Sequence, residues 1–285
     1  MDVKNAFLHG ELQEKVYMQP PSGYGQAQNG MVCKLRKAIY GLKQSPRTWY
    51  AKLSLVLEKA SFLRSNADSF LFVRTGTRRR LMVLIYVDDL IIIGNSATEI
   101  AALKQSLHET FTIKDLGRLK YFLGIEMATF SKGLFLNQRK YVTDLLKETN
   151  LLDCKPTSSL IDNKLKLTMN GETLHNVSYY QRLVGKLIYL TIIRPDITYV
   201  VGIVSQFMHS PTIDHVNIVK QILHYLKGSI WRGILMQNNQ STSISGYIDV
   251  DSVGNAIDRN STTGYCTFVG GNIVTWKSKK QQVIA

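Results

Sequence analysis

Two adjacent aspartates, Asp88 and Asp89, interrupt eleven apolar or aromatic residues in the stretch 81–93, and nothing else in the chain restricts its fold as sharply. The runs on either side, seven residues and four, are short for helices and suited to strands. The stretch therefore reads as a hairpin with the carboxylates at its turn. Asp is a common turn residue, so a plain solvent-exposed turn accounts for the pair. The other account is a ligand, because carboxylates drawn into apolar surroundings are costly unless paired, and a divalent cation suits two of them. The residues alone leave both readings open.

The hairpin sits in an α+β order. A strand is expected over 2–8, then a Gly-, Pro- and Gln-rich loop over 19–30. Ser45-Pro46 reads as an N-cap followed by proline at the first helical position, and Trp49, Leu53, Val56, Leu57 and Ala60 continue a helical stripe. Strands follow at 70–73, 81–86 and 90–93. Ser96 and Glu99 form a capping box ahead of a helix carrying Ile100, Leu103, Leu107 and Phe111. Short strands are expected at 119–127 and 133–136 and a helix at 138–149, so the order points to an antiparallel sheet with helices on one face. A polar stretch, 154–172, reads as a linker. Helices at 179–193, 197–208 and 213–227 come next, the last closed by Gly228, and strands at 234–236, 244–250, 265–269 and 272–276 begin a second sheet.

The chain has 285 residues, 45% of them hydrophobic, which is enough for one large core or two modest ones. Lys and Arg number 35 against 21 Asp and Glu, a net charge of +14, which favours an anionic partner such as nucleic acid, although a basic surface can also simply aid solubility. The densest basic groups are Arg78-Arg79-Arg80, Lys34-Leu35-Arg36-Lys37, Lys43 with Arg47, and 277–280. Cys33, Cys154 and Cys266 lie far apart, supporting neither a disulfide framework nor a zinc pair. No secretory leader is visible at the start, and the most apolar window, 81–93, is too short and too charged to span a membrane.

Four segments carry a family likeness. Tyr86-Val87-Asp88-Asp89 resembles the catalytic motif of reverse transcriptases. Asp2-Val3-Lys4-Asn5-Ala6-Phe7-Leu8-His9-Gly10 resembles the motif that supplies their other metal-binding aspartate. Tyr40-Gly41-Leu42-Lys43-Gln44-Ser45-Pro46 resembles the motif beneath template and incoming nucleotide, and Phe122-Leu123-Gly124-Ile125-Glu126-Met127 the primer grip. All occur in family order. Their wording, with Lys114-Asp115-Leu116-Gly117, is that of copia-type retrotransposon Pol polyproteins, and the similarity runs along essentially the whole chain.

The resemblance implies an RNA-directed DNA polymerase that uses two Mg²⁺ ions, or Mn²⁺ in their place, for in-line attack of a primer 3′-hydroxyl. It implies Asp2, Asp88 and the Val3 carbonyl as metal ligands and Asp89 as a supporting carboxylate. Phe7 would exclude a sugar 2′-hydroxyl, or is an ordinary core aromatic. Gly41, Gln44 and Ser45 would lie at the nucleotide, with Ser45 equally explained as a helix cap. Lys114 would face the leaving pyrophosphate, or is a surface lysine. Leu123, Gly124 and Ile125 would grip the primer.

Gly246-Tyr247-Ile248-Asp249-Val250-Asp251 resembles the first strand of a ribonuclease H domain, with Asp249 as its first carboxylate and Ser252 where Trp is usual. The expected layout is a palm and thumb-like part over 1–153 with the fingers largely missing, a linker and helical connection over 154–240, and a truncated ribonuclease H-like sheet over 241–285 without ribonuclease H activity. Expected partners are an RNA template, a DNA or tRNA primer, deoxynucleotides and the rest of a Pol polyprotein, with no membrane. The expected location is intracellular, in cytoplasmic virus-like particles or the nucleus. The competing expectation is a catalytically inactive remnant that only binds nucleic acid.

Overall fold

The computed structural model describes residues 1–24, 30–76, 79–161, 171–251 and 261–281. Arg78, Ser252 and residues 162–170 of the expected linker lie outside them. The chain divides into two compact units, Met1–Leu119 and Lys120–Ala285.

The first unit contains β1 (Asp2–Val3), β2 (Glu11–Met18), β3 (Cys33–Lys37), α1 (Ser45–Lys59), β4 (Leu63–Arg64), β5 (Leu71–Thr75), β6 (Arg80–Tyr86), β7 (Asp89–Gly94), α2 (Ala97–Thr110) and β8 (Ile113–Lys114). Six strands form one antiparallel sheet in the order β4-β5-β6-β7-β1-β8, and β2 pairs with β3 as a separate ribbon. Along β6, Leu81, Val83 and Ile85 are buried while Met82 and Leu84 are only partly so, the period of two of a sheet covered on one face. Trp49, Leu53 and Leu57 of α1 and Leu103 and Leu107 of α2 join those three residues in one core, so both helices lie on the same face.

Three local expectations change. The strand expected over 2–8 ends at Val3, because Asn5 adopts φ 52 and turns the chain into a 3-10 helix, Ala6–His9. Asn is among the few non-glycine residues that tolerate this region. Gly10 then packs so closely on α1 that a Cβ would lie 2.5 Å from the Thr48 hydroxyl oxygen. Secondly, Gln44, not Ser45, is the N-cap of α1; Ser45 is buried and its hydroxyl donates to the Ile39 carbonyl at 2.6 Å. Thirdly, Ser96 caps α2 by accepting from Glu99 N–H, but the Glu99 carboxylate turns to Arg79 (3.2 Å) and Arg74 (3.5 Å) instead of returning to the cap.

The second unit contains β9 (Tyr121–Phe122), β10 (Ile125–Phe130), β11 (Gly133–Asn137), α3 (Arg139–Glu148), α4 (Val177–Leu190), a 3-10 turn (Pro195–Ile197), α5 (Thr198–Ser205), α6 (Ile213–Gly228), β12 (Gly233–Met236), β13 (Ile244–Asp251), β14 (Thr262–Val269) and β15 (Asn272–Lys280). Its sheets run β12-β11-β10-β9 and β13-β14-β15. The four helices share a core built on Leu145, Leu146, Val184, Leu187, Ile222 and Leu226. Gly228 is the last residue of α6, not a left-handed cap beyond it; a Cβ there would lie 3.1 Å from Pro156.

His215, in the first turn of α6, is buried. Its Nδ1 accepts from Thr212 N–H at 2.9 Å, its ring stacks on Phe207 at 3.7 Å, and Nε2 has no hydrogen-bond partner among the described residues. Burial lowers its pKa, with Asp214 opposing. Above about pH 6.5 folded and unfolded chains both hold it neutral; below that the unfolded chain takes up a proton the fold resists, so stability falls with pH. Thermal unfolding between about pH 7.5 and about pH 5.5 should show this decline, and His215→Gln should flatten it.

Candidate active site

The β6–β7 hairpin closes on the pair Tyr86–Asp89, leaving Val87 and Asp88 as a two-residue loop. Val87 has φ 51. Tight hairpin loops need such a φ, but a β-branched residue resists it, so the surroundings must hold the turn. Trp49 does so. Buried in α1, it donates from indole Nε1 to the Val87 carbonyl at 2.7 Å, with Phe111 edge-on at 5.1 Å and His9 at 5.8 Å. Trp49→Phe keeps an aromatic ring but loses this donor, and is expected to cost about 1–3 kcal/mol in urea unfolding, with faster amide exchange at Asp88 and Asp89.

Strand β1 lies between β7 and β8, opposite Asp89 on one side and Lys114 on the other at Asp2. Val3 N–H donates to the Asp88 carbonyl at 2.8 Å, and Leu90 N–H to the Met1 carbonyl at 2.9 Å. Two stretches far apart in sequence thus bring Asp2, Asp88 and Asp89 to one turn. Burial, and then the charge of Asp2, push the Asp89 carboxyl above its ordinary value. Asp88 differs between its oxygens. Oδ2 accepts from the Tyr40 hydroxyl at 3.0 Å, whereas Oδ1 is buried with no hydrogen-bond partner among the described residues. A carboxylate oxygen shut away from water without a donor is costly. That separates this turn from a plain exposed one, and the hard oxygens of Asp88 and Asp2 suit a divalent cation.

Around the turn, the half-buried Phe7 ring meets the Tyr40 ring at 4.6 Å between centroids. Gly41 has φ 93, and nothing lies within 4 Å of where its Cβ would be, so backbone conformation and not crowding calls for glycine there. Gln44 is half-buried, and Ser45 ties the loop carrying Tyr40 and Gly41 to α1 from within the core. Lys114 is exposed. Lys34, Arg36, Lys37, Lys43 and Arg47 of the same unit are exposed too, and none is ion-paired among the described residues.

The other candidates lie in the second unit. Leu123 (φ 48) and Gly124 (φ 76) form the two-residue loop between Phe122 and Ile125, with both residues left-handed as a type I′ turn requires. A Cβ on Gly124 would lie 2.9 Å from the Tyr189 hydroxyl oxygen. Asp249 is exposed on β13, opposite Gly264. Among the described residues no group of three or more His, Cys, Asp or Glu side chains that could hold a metal is assembled.

A family model described as "Reverse transcriptase (RNA-dependent DNA polymerase)" matches residues 1–162. The chain belongs to the reverse transcriptase family. Among its relatives it is 42% identical over 284 residues to the Retrovirus-related Pol polyprotein from transposon RE2 of Arabidopsis thaliana, covering 99% of this chain and 20% of that protein. It is 37% identical over 297 residues to the corresponding polyprotein from transposon TNT 1-94 of Nicotiana tabacum, covering 100% and 22%. It is 30% identical over 286 residues to a putative transposon Ty5-1 protein of Saccharomyces cerevisiae, covering 98% and 92%. The copia-type Pol likeness read from the motifs is the one these relatives carry, and this reverse transcriptase chain spans about a fifth of the first two. Two residues of the site, Tyr40 and Trp49, escaped the sequence reading. Their bonds to Asp88 and Val87 span 48 and 38 positions, and only Tyr40's place inside a family motif signals it.

Proposed function

We propose that the chain is the palm-centred part of an RNA-directed DNA polymerase, adding deoxynucleotides to a primer 3′-hydroxyl on an RNA template. The observation that carries this reading is the buried Oδ1 of Asp88, without a hydrogen-bond partner among the described residues, at a hairpin loop beside Asp2. Asp2, Asp88 and the Val3 carbonyl would hold the cations, and Asp89, with its raised carboxyl, supports them from the neighbouring register position. Two Mg²⁺ ions, or Mn²⁺, bound there would stabilise the charge on the attacking and leaving oxygens of an in-line displacement.

The chain's own residues do the rest. Phe7 presents a ring face where a sugar 2′-hydroxyl would need room. The open surface at Gly41 admits a nucleotide or template, and Lys114, exposed beside Asp2, offers positive charge to the pyrophosphate. Lys34, Arg36, Lys37, Lys43 and Arg47 are free to meet sugar-phosphate backbones, contacts that ignore sequence as a translocating polymerase requires. In the second unit the Leu123–Gly124 turn with Ile125 is read as the primer grip, and Asp249 as the first carboxylate of a ribonuclease H-like sheet.

The test is primer extension by the full chain on an RNA template. Synthesis that needs template, deoxynucleotides and Mg²⁺, and that stops with chelator, supports the reading. Salt-sensitive affinity for template-primer without extension overturns it in favour of a chain that only binds nucleic acid.

A further inference from the structure

We infer that Tyr40 is a positioning residue with two separable tasks: its hydroxyl orients Asp88 so that Oδ1 faces a cation, and its ring backs Phe7 as the sugar-discriminating face. The inference rests on the polymerase reading above for the second task, and on geometry alone for the first.

Asp88 sits on a two-residue loop beside Asp89, which lies opposite Asp2 and feels the charge of both. A carboxylate so placed tends to rotate away from its neighbours unless something fixes its plane. Among the described residues Tyr40 donates to that side chain, at 3.0 Å to Oδ2, while Oδ1 is buried without a partner. The asymmetry defines which oxygen is left for a ligand. Tyr40 is itself well placed to act as a fixed strut. It is held between the Phe7 ring at 4.6 Å and Asp88, and its loop is tied to α1 through the Ser45 hydroxyl on the Ile39 carbonyl. The same side chain therefore connects the ring surface of the nucleotide site to the carboxylate, so a displaced Phe7 ring would move the hydroxyl that aims Asp88. A phenylalanine at 40 would keep the first connection and remove the second.

The experiment compares the full-length wild type with Tyr40→Phe, Tyr40→Leu and Asp88→Asn. Mn²⁺ binding is titrated by electron paramagnetic resonance without nucleotide, and extension is measured for deoxy- and ribonucleotides. Tyr40→Phe should weaken Mn²⁺ binding about 3- to 10-fold and lower kcat about tenfold, with KM for the deoxynucleotide within about twofold and sugar discrimination unchanged. Tyr40→Leu should add a loss of discrimination of about tenfold. Mn²⁺ binding that is absent from wild type, survives Asp88→Asn intact, or is equal or tighter in Tyr40→Phe overturns the orienting task. Unchanged discrimination in an extending Tyr40→Leu overturns the backing task. A wild type that binds Mn²⁺ as described yet extends no primer sinks the polymerase reading, and the backing task with it, and leaves the orienting task standing.

Discussion

Asp88→Asn is expected to abolish primer extension, a loss of about 10³-fold or more, while leaving the chain folded. Asparagine keeps the size and still offers an oxygen to the Tyr40 hydroxyl, so the hairpin loop keeps that bond. What it removes is the negative charge at the Oδ1 that has no partner among the described residues, and with it, under the proposed function, a ligand for the cation. Asp89 is also freed of the Asp88 charge, which helps to push its carboxyl up, so stability should not fall. The check is single-turnover incorporation paired with urea unfolding. A variant that retains more than about a tenth of wild-type incorporation would show that the carboxylate does not carry the chemistry.

Arg194→Met is expected to destabilise the second unit by about 3–5 kcal/mol, which would take about a fifth or more of the stability of an ordinary domain. Arg194 is only 2% exposed. Its Nε and Nη2 donate to the two Asp196 oxygens at 2.9 and 2.8 Å, and Nη1 and Nη2 also donate to the Ser229 carbonyl (3.0 Å) and hydroxyl oxygen (2.8 Å). Tyr225 adds a hydroxyl donor to Asp196 at 2.8 Å, and Arg232 donates to that hydroxyl at 2.6 Å. Burial by itself raises the Asp196 carboxyl, but Arg194 and Tyr225 outweigh it and hold the group below the ordinary carboxylate range. Methionine fills the volume but removes all four Arg194 bonds, leaving Asp196 with the Tyr225 hydroxyl and with Arg232 at 3.6 Å, and the Ser229 carbonyl with the Arg232 N–H at 3.0 Å. Replacing the pair together, Arg194→Met with Asp196→Leu, should cost less than the single change, since the half-buried Asp196 carboxylate is then not left without its main cationic partner. Urea unfolding of the two variants decides it; a single variant within about 1 kcal/mol of wild type would show that the network is dispensable.

Much of the secondary structure was legible because its causes are local. The stripe from Trp49 to Ala60, the Ser96 cap and the short apolar run into Tyr86 announce α1, α2 and β6 whatever surrounds them. The misreadings share a cause as well. Ser45 turning inward to Ile39, Glu99 answering Arg79 and Arg74, and Gly228 packing on Pro156 were each decided by a contact that the residue's own helix does not supply, whereas Asn5 left the extended region as asparagine readily can. Propensity describes what a residue prefers alone, and tertiary contacts worth one or two kcal/mol override it.

The aspartate pair itself shows where the boundary falls. The amino-acid sequence determined that Asp88 and Asp89 stand between two strands, because the length of an apolar run needs no partner to be read, and the ordered motifs determined the family. What surrounds the turn was decided in three dimensions. Strand register sets Asp2 against Asp89, Trp49 holds Val87 in a conformation it would not choose, and Tyr40 satisfies one oxygen of Asp88 while the fold closes over the other. Such contacts depend on which strands pair and how far each slides. A slip of one residue in β1 would point Asp2 to the opposite face of the sheet, away from Asp89.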